Sequence, residues 1–398
     1  MTDGLLAGLR VIDAATLAAG PLIATWMGVQ GAEVIKVEQP DGGDPLRQWG
    51  AQRDSIGLMW KSVARNKKAI TLNLRLPAGR DLLRSLTRQA DVVIVNLRPS
   101  TMRRWDLDYE SLAAANPRLV MVHVTGYGAD GPKSDWPGFG TLGEAMSGFA
   151  HLTGTPDGPP TLPSFMLADG VAALNATYAV MMALYHRDAH GGDGQLIDVN
   201  LIEPLARLIE TSTLTYTQLD KVPGRVGNRL DASAPRNAYQ TADEQWVAIS
   251  SASPNLVVRV YRAVDRADLA EDPEYVDPVR RRGHALEIDQ AVADWIAKRP
   301  LDEVMAVFEA AEVAAAPIYD ARQLLADEHL RARGSFIQVD DPDFGRATVQ
   351  GPVVVMSETP GRVDHLGRGL GQDNDAIYGG LLGIDAERLD ALRAAGTI

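Results

Sequence analysis

The chain of 398 residues contains no cysteine, and this absence excludes two ways of stabilising a fold. Without cysteine there are no disulfide bonds and no thiolate ligands for a structural metal. The sequence also lacks the G-x-S-x-G nucleophile elbow and the P-loop, which are short signatures of serine hydrolases and of many nucleotide-binding enzymes. We therefore expect a protein stabilised by its hydrophobic core, with no metal site.

Basic residues are too few for a general binder of polyanions. The chain has 39 Lys and Arg against 52 Asp and Glu, which gives a formal net charge of -13. Affinity for nucleic acid depends on clustered Lys and Arg that neutralise phosphates. The composition therefore argues against a nucleic-acid partner, although a local basic patch for a small phosphorylated ligand remains compatible with it.

Long apolar runs are also scarce. The first residues, MTDGLLAGLRVIDAA, have neither a basic n-region nor a continuous apolar h-region. The one stretch long enough to span a bilayer, 165–185, contains Asp169, Gly170 and Asn175 and stands alone in the chain. We expect it to be a buried core helix, and we expect a cytoplasmic protein without a membrane partner.

What the sequence does contain is an alternation of short apolar runs with helical patterns, which is typical of an α/β fold with a parallel sheet. The predicted strands are 9–15, 33–38, 69–74, 91–96 and 118–128, and the predicted helices are 21–32, 77–89 and 109–117. Ligands of such sheets bind at the carboxyl ends of the strands. This rule indicates three segments as the site: Ala15–Pro21, Asn96–Met102 and Thr125–Gly140.

The character of the sequence changes after residue 204. A polar stretch at 220–236 leads to a predicted hairpin at 237–251, and three more highly charged helices are predicted at 257–269, 284–298 and 301–311. These patterns indicate a smaller α+β domain. The tail is strand-like at 334–361 and ends in a short predicted helix at 385–395.

Two glycine patterns have the spacing of a dinucleotide-binding fingerprint but not its context. The pattern from Gly126 to Gly131 follows a predicted strand, but two prolines, Pro132 and Pro137, interrupt the helix that should come next. The pattern from Gly138 to Gly143 has no strand ahead of it. We therefore expect these glycines to let the backbone approach some ligand other than a nicotinamide or flavin cofactor.

One carboxylate, Asp169, interrupts the apolar stretch from Phe165 to Tyr185. Burying an ionised carboxylate without partners costs several kcal/mol. One explanation is that Asp169 caps a helix whose first turn is Gly170–Leu174. A second explanation adds chemistry, because a carboxylate at the positive end of a helix stays ionised and is available as a nucleophile. The residues alone leave both explanations open.

An ordered series of motifs resembles the class III CoA-transferases, the family of the formyl-CoA and carnitine CoA-transferases, with α-methylacyl-CoA racemase as a divergent branch. The motifs include GLRVIDAATLAAGP (8–21), GAEVIKVEQPDGGDPLR (31–47), ADVVIVNLRPSTMRRWDLDYESLAAANPRLV (90–120), TGYGADGP (125–132), PGFGTLGEAMSGFAHLTG (137–154), LADG (167–170) and APIYDARQLLADEHLRARG (316–334). The resemblance covers essentially the whole chain in order, which makes it far more specific than any single motif.

The resemblance implies a Rossmann-like large domain with a parallel sheet, built from both chain ends, and a smaller α+β domain between them. The expected bounds are 1–224 for the N-terminal part of the large domain, 225–320 for the small domain, and 321–398 for a linker and the return to the large domain. The resemblance also implies an interlocked homodimer, in which the active site lies between the large domain of one chain and the small domain of its partner.

The resemblance also implies roles for individual residues. Asp169 matches the nucleophilic aspartate of the family. The residues implied to bind CoA are Leu17, Ala18, Asn96, Leu97, Arg98, Met102, Arg104 and Lys133. Basic residues at strand ends suit a ligand with several phosphates. Gly138, Phe139 and Gly140 form the loop expected to contact the substrate and its oxyanion.

The implied reaction moves CoA from an acyl-CoA thioester, for example succinyl-CoA, to a carboxylic acid, for example mesaconate or malate, through a covalent aspartyl intermediate. CoA is then a substrate, and no other cofactor is expected. Arg47 and Arg236 are candidates to bind a distal carboxylate of the substrate.

Two alternative functions remain at this point. An acyl-CoA racemase or epimerase works by proton transfer, but the segment of this chain that aligns with its catalytic His-Asp pair is Gly138-Phe139-Gly140, which has neither residue. The second alternative is a non-catalytic acyl-CoA-binding protein, which the presence of Asp169 disfavours. Formyl transfer is disfavoured by Ala18, which stands where formyl-CoA transferases have glutamine.

Overall fold

The structure, a computed structural model, describes residues 4–398 and contains two compact units. The first unit comprises the residues up to Phe149 together with Leu162–Thr211 and His329–Ile398, and the second comprises Ala150–Thr161 and Ser212–Glu328. Both ends of the chain therefore belong to the first unit. The domain bounds expected from the sequence stay a prediction.

The secondary structure alternates strands and helices over the first half of the chain. The strands are β1 Arg10–Asp13, β2 Glu33–Glu38, β3 Gln52–Arg53, β4 Ile56–Gly57, β5 Lys67–Thr71, β6 Val92–Val95, β7 Val120–Thr125, β8 Leu196–Asn200, β9 Arg236–Gln240, β10 Trp246–Ser250, β11 Ala315–Pro317, β12 Phe336–Asp341 and β13 Gly345–Gln350. The helices of the first half are α1 Ala19–Val29, α2 Leu58–Val63, α3 Pro77–Thr87, α4 Pro99–Arg104, α5 Tyr109–Ala113, α6 Gly140–Met146, α7 Phe149–Leu152 and α8 Leu167–Ala189. Those of the second half are α9 Glu203–Leu208, α10 Glu210–Leu219, α11 Pro254–Ala263, α12 Ala267–Glu271, α13 Pro273–Val276, α14 Ala285–Ile296, α15 Leu301–Ala310, α16 Ala321–Ala326, α17 Glu328–Ala332 and α18 Ala386–Ala394.

The first unit is built on a six-stranded parallel sheet in the order β5-β2-β1-β6-β7-β8. Counted along the chain within this sheet, the order is 3-2-1-4-5-6, which is that of the Rossmann fold. The order reverses between β1 and β6, and ligands of such sheets bind outside the carboxyl ends of the strands at this reversal. The α/β class predicted from the sequence is confirmed.

Each central strand contributes side chains to two hydrophobic clusters, one on each face of the sheet. In β6, for example, Val93 and Val95 join the cluster that also contains Met102 and Tyr378, whereas Val92 and Ile94 join the cluster formed with α1 and α8. This alternation follows from the period of two residues in a strand. Because both faces are covered, the strands are nearly continuous apolar runs, as is typical of a buried parallel sheet.

The C-terminal end of the chain joins this unit without adding a strand to the six-stranded sheet. Side chains take the place of a strand at the free edge of β5. Asp373 accepts a hydrogen bond from the Ala69 N–H at 2.7 Å, Asn374 accepts one from the Thr71 N–H at 2.9 Å, and the Tyr378 hydroxyl donates to Thr71 O at 2.7 Å. The edge is thereby protected from pairing with another chain.

Helix α8 contains the apolar stretch that the sequence shows at 165–185. It is long and apolar enough, by length and composition alone, to cross a membrane. One face, with Ala172, Ala176 and Val180, is fully buried in the cluster beneath the sheet, as expected for a core helix. The opposite face exposes a continuous apolar stripe, composed of Leu174, Tyr178, Met182 and Tyr185, each at least 55% exposed.

The second unit contains an antiparallel sheet in the order β11-β10-β9 and several helices. The hairpin of β9 and β10 confirms the predicted hairpin at 237–251. Its core includes Val247 and Ile249 of β10, together with Trp295 of α14 and Phe308 of α15, whose rings stack at 5.6 Å. This unit therefore has a hydrophobic core of its own.

Candidate active site

A cavity of about 290 Å³ opens at the carboxyl ends of β1, β6 and β7, next to the point where the strand order reverses. It is lined by Thr16, Leu17, Ala18, Ala19, Asn96, Arg98, Pro99, Val124, Thr125, Gly126, Ser134, Trp136, Pro137, Gly138, Phe139, Asp169 and Leu201. All three segments indicated by the strand-end rule contribute to this lining, and their role in binding a ligand stays a prediction.

Asp169 lies in the first turn of α8, where the helix approaches the cavity. The helix begins at Leu167, three residues earlier than the cap explanation requires, and the N-cap residue, Met166, makes no side-chain cap. Asp169 is therefore the third residue of the helix and not its cap. A carboxylate in this turn still benefits from the positive end of the helix.

The environment of Asp169 is unfavourable to its negative charge. Burial raises the pKa of Asp169, and the negative charge of Glu144 raises it further. The backbone N–H groups of Asp169 itself and of Ala19, at the start of α1, bind the carboxylate and oppose this rise without cancelling it. The described residues offer Asp169 no ion-pair partner, so its charge is held mainly by backbone dipoles.

Glycines allow the loops around Asp169 to approach one another closely. A Cβ atom at Gly140 would overlap with the carboxylate oxygen Oδ2 of Asp169. Gly126 and Gly138 face each other in the same way, since a Cβ at either would lie 2.6 Å from the Cα of the other. The glycines at these three positions therefore allow close packing of the chain around the cavity, and their predicted approach to a ligand stays a prediction.

The loop between β1 and α1 is held by side chains from two neighbouring strand ends. The side chain of Asn96 makes two hydrogen bonds to the backbone of Thr16. Its Oδ1 accepts from the Thr16 N–H at 3.0 Å, and its Nδ2 donates to the Thr16 carbonyl oxygen at 2.9 Å. The next N–H, that of Leu17, donates to both carboxylate oxygens of Asp44, at 3.2 and 3.3 Å. Leu17 has a φ of 65°, a left-handed backbone conformation that is unfavourable for residues other than glycine. These bonds therefore fix an otherwise unfavourable turn beside Asp169.

A buried cluster of charges supports this loop from below. The Lys36 ammonium lies 2.8 Å from Asp44 and 3.6 Å from Asp13, and it also donates to Ala15 O. Lys67 lies 2.9 Å from Asp13 on its other side. Burial lowers the pKa of Lys36, but the charges of Asp13 and Asp44 outweigh burial and raise it, whereas for Lys67 burial prevails and lowers the pKa to about 8. Lys36 is therefore the cation that balances the charges of Asp13 and Asp44 in this cluster.

The residues implied to bind CoA are only partly brought together. Leu17, Ala18, Asn96 and Arg98 line the cavity, as do Gly138 and Phe139 of the predicted substrate loop, whereas Leu97, Met102, Arg104, Lys133 and Gly140 do not. Met102 is 2% exposed within the core, and Leu97 packs against the same cluster. Arg104 is exposed on α4, and Lys133 lies over the rings of Tyr127 and Trp136. The CoA-binding roles of these residues stay a prediction.

The two arginines considered for a distal carboxylate are placed differently from each other. Arg47 makes two hydrogen bonds to Glu38, at 2.6 and 2.8 Å, and stacks on the Trp60 ring at 3.8 Å. Its guanidinium is therefore already bound by Glu38 and Trp60, and it is not free to bind a carboxylate of the substrate. Arg236 belongs to the second unit, where it lines a cavity of about 710 Å³ and donates to two backbone carbonyl groups of the 228–229 turn.

Sequence reasoning missed two features of this site, Asp44 and Glu144. Both residues lie in segments that resemble the family, and the resemblance implies no role for either of them. The sequence does carry a signal for Asp44, because Gly42 and Gly43 precede it and Pro45 follows, a pattern typical of a structured turn. For Glu144 the sequence gives only an acid in an otherwise uncharged segment. Among residues 4–398, no group of three potential metal ligands of the His, Cys, Asp or Glu type occurs.

Comparison with known proteins adds independent information. A family model described as CoA-transferase family III matches residues 6–374. The chain is 39% identical over 391 residues to a succinyl-CoA–D-citramalate CoA-transferase of Chloroflexus aurantiacus, covering 98% of this chain and 97% of that protein. It is also 39% identical over 399 residues to the beta subunit of a succinyl-CoA–L-malate CoA-transferase of the same organism, covering 99% and 98%.

A solved structure agrees with the fold described above. The crystal structure of a CAIB/BAIF family protein from Brucella suis superposes with a TM-score of 0.83 at 28% sequence identity, covering 96% of this chain and 100% of that one. The likeness therefore extends over both units of the chain.

Proposed function

The chain belongs to CoA-transferase family III and is an enzyme of that class, and from this premise we propose its substrates and its nucleophile. We propose that the enzyme moves CoA from succinyl-CoA to a dicarboxylic acid such as malate, mesaconate or citramalate. The names of two full-length relatives both contain succinyl-CoA but differ in the second acid. The relatives therefore support one specific donor, succinyl-CoA, but only a class of acceptor, the dicarboxylic acids.

The observation that carries the proposed mechanism is the position of Asp169. It is the carboxylate that lines the cavity at the reversal of strand order. It has no ion-pair partner among the described residues, and its pKa is raised by burial and by Glu144. A carboxylate whose charge is poorly stabilised is a better nucleophile than one held in an ion pair, because bond formation removes that charge.

The proposed reaction proceeds through three covalent intermediates. An oxygen of Asp169 attacks the thioester carbonyl of succinyl-CoA, and the C–S bond breaks to give a mixed anhydride and CoA thiolate. The thiolate then attacks the Asp169 carbonyl carbon, which releases succinate and leaves an aspartyl-CoA thioester. The acceptor carboxylate attacks this thioester to form a second anhydride, and the thiolate attacks its acceptor carbonyl to release Asp169. No proton or electron is gained or lost overall, and the thioester energy is retained.

The residues around Asp169 have proposed roles that follow from their contacts. Leu17 and Ala18 lie beside the reacting acyl group, and Asn96 holds their loop through Thr16. Arg98, an exposed cation on the cavity lining, binds CoA phosphates, together with Arg104 and Lys133 outside the cavity. Leu97 and Met102 support the CoA cleft from the core side. Gly138, Phe139 and Gly140 form the substrate loop, in which backbone N–H groups stabilise the oxyanions.

We also propose that two chains associate as an interlocked homodimer in the cytoplasm. The apolar stripe of Leu174, Tyr178, Met182 and Tyr185 on α8 supports association, because exposed apolar surface of this kind marks an interface. Native mass spectrometry of the purified chain should give twice the chain mass of 42.9 kDa. Since one relative is named as a beta subunit, activity of the chain purified alone distinguishes a homodimer from an assembly with a second kind of subunit.

The experiment that tests the function is detection of the covalent intermediate. The enzyme is incubated with succinyl-CoA, treated with hydroxylamine and mapped by peptide mass spectrometry. We expect a hydroxamate on the peptide containing Asp169 in the wild type and in Asp188→Asn, a control at the exposed end of the same helix, and no adduct in Asp169→Ala. Transfer is then measured with malate, mesaconate and citramalate against acetate. Absence of any adduct despite CoA binding would contradict the mechanism.

A further inference from the structure

Glu144 is a buried carboxylate whose charge has no counterion. It is 3% exposed on α6, and within residues 4–398 no lysine, arginine or histidine forms an ion pair with it. Among residues 4–398, its carboxylate accepts one hydrogen bond, from the backbone N–H of Ala168 to Oε1 at 3.3 Å. Burying a charge in this way is costly, so the arrangement calls for an explanation.

The position of Glu144 relates it directly to the proposed nucleophile. Ala168 immediately precedes Asp169, so Glu144 binds the first turn of the helix that carries that residue. Gly140, which contacts the Asp169 carboxylate, stands four residues before Glu144 on α6 and therefore on the same face of that helix.

Glycines also fix α6 in place. A Cβ atom at Gly143 would overlap with Leu201 O, just as one at Gly140 would overlap with Asp169. The short helix α6 therefore packs closely against the Asp169 carboxylate and against the backbone of Leu201. Because this packing leaves little room for movement, the Glu144 carboxylate is held near Asp169.

We propose that Glu144 is a positioning residue that orients the first turn of α8 through Ala168 and whose negative charge favours formation of the aspartyl-CoA thioester. This inference rests on the proposed function. In the overall exchange, the Asp169 carboxylate and succinyl-CoA become the aspartyl-CoA thioester and free succinate. The negative charge thus leaves the protein with succinate, and the repulsion between Asp169 and Glu144 disappears.

The electrostatics around Asp169 agree with this role. Burial and then the charge of Glu144 raise the pKa of Asp169, so Glu144 is the acidic residue that acts on it. Helix α1, which packs against α8, has no ionisable side chain. Helix α9 carries Glu203 and Arg207, both exposed, and Arg98 on the cavity lining is exposed as well.

The neighbouring strands of the sheet offer two further titratable groups, and both have other partners. In β7, the His123 ring nitrogen Nε2 lies 2.7 Å from Leu97 O. In β8, the Asp198 carboxylate accepts from the Ala129 N–H at 2.9 Å. The remaining ionisable groups of α8, which are Tyr178, Tyr185, His186, Arg187 and Asp188, lie two or more turns from Asp169.

The test compares the wild type with Glu144→Gln, which keeps the acceptor for Ala168 and removes the charge. The fraction of enzyme present as the aspartyl-CoA thioester is measured by intact-protein mass spectrometry at fixed ratios of succinyl-CoA to succinate, and kcat/KM is measured against pH. We expect the equilibrium constant for thioester formation to fall about tenfold for each unit by which the Asp169 pKa falls, with the acid limb of kcat/KM moved to lower pH. Glu203→Gln, an exposed neutralisation on α9, is the matched control and should leave both quantities unchanged.

Three results would overturn the inference, and they are distinguishable. If the wild type forms the thioester and Glu144→Gln gives the same equilibrium constant and acid limb, the inference fails while the proposed function stands. If Glu203→Gln produces the same change, the effect is not specific to Glu144. If the wild type forms no thioester, the proposed function fails, and this inference with it. Should Glu144→Gln not fold, Glu144→Met removes the charge together with the acceptor for Ala168, so the equilibrium constant and the acid limb should change as in Glu144→Gln and kcat should fall as well.

Discussion

Gly140 lies directly against the carboxylate of Asp169, so closely that a Cβ atom at Gly140 would overlap with Oδ2. The two residues are far apart in the chain, yet the backbone of α6 forms one wall of the environment of Asp169. Position 140 therefore accepts only glycine without a shift of the Asp169 carboxylate, and the effect of a larger residue on activity can be measured.

Replacement of Gly140 by alanine should slow transfer by on the order of 100-fold without unfolding the protein. The added methyl group displaces the Asp169 carboxylate from its donors, and a misplacement of about 1 Å costs on the order of 100-fold in rate. The control is Gly170→Ala, one residue beyond Asp169 in α8, where a Cβ meets nothing within 4 Å. This control should retain activity and gain about 1 kcal/mol of stability, since alanine is the better helix former. Equal activity of the two variants would contradict the proposed geometry.

Asp44→Asn should impair catalysis through the Leu17 loop. The substitution weakens the acceptor that holds Leu17 in its left-handed conformation and removes a counterion from Lys36. We expect kcat/KM for succinyl-CoA to fall at least tenfold, and the free energy of unfolding to fall by about 3–5 kcal/mol, as when a buried ion pair loses one partner.

The control for this change is Asp41→Asn, an exposed aspartate three residues earlier in the same loop. Urea unfolding and steady-state kinetics of both variants check the prediction. A loss of stability without any change in kinetics would show that Asp44 acts on the fold alone.

Because the pKa of Asp169 is raised, the free energy of unfolding should depend on pH. Because the folded-state pKa lies above the ordinary value of 3.8, the folded protein binds more protons than the unfolded chain between these two values. Stability from this group is thus present at low pH and is lost as the pH rises through the raised pKa. We expect Asp169→Asn to be more stable than the wild type at pH 7, by about 1.4 kcal/mol for each unit of elevation.

This difference in stability between Asp169→Asn and the wild type should shrink as the pH falls from the raised pKa to 3.8 and should vanish below 3.8, because the wild-type side chain is then neutral in both states. Denaturant titrations of both proteins over this range measure it. Asp169→Asn should be inactive at every pH. A wild type that is more stable than the variant at pH 7 would contradict an elevated pKa.

Arg98→Gln should weaken binding of the CoA moiety. Arg98 is the cationic side chain among the residues lining the cavity, and its guanidinium is exposed there without an ion pair in the described part of the chain. Loss of a charge-assisted bond to phosphate should raise KM for succinyl-CoA about tenfold.

KM for the acceptor acid should change much less in this variant, because the acceptor carries no CoA. Arg88→Gln, at the exposed end of α3 and outside the cavity, is the control and should behave as the wild type. An equal rise in KM for both substrates would show that Arg98 acts on the active site as a whole.

The elements that the sequence predicted well are those encoded by local patterns. The apolar run at 33–38 is β2, with the same bounds, and the helix predicted at 385–395 is α18, one residue shorter at each end. The strand-end rule located the cavity because parallel strands align their carboxyl ends at one edge of the sheet. The first turn of α8 was predicted less well, since capping depends on where the preceding chain arrives.

The sequence by itself determined that the chain forms an α/β fold with an isolated carboxylate at Asp169, because periodicity and composition are local properties of the chain. Only the tertiary structure decided which groups surround that carboxylate. The contact of Gly140 with Asp169, the bond from Ala168 to Glu144 and the bond from Leu17 to Asp44 each join residues 24 to 29 positions apart. The closure of the β5 edge by Asp373 and Asn374 joins residues about 300 positions apart. Such contacts depend on how whole elements pack, and no local pattern specifies them.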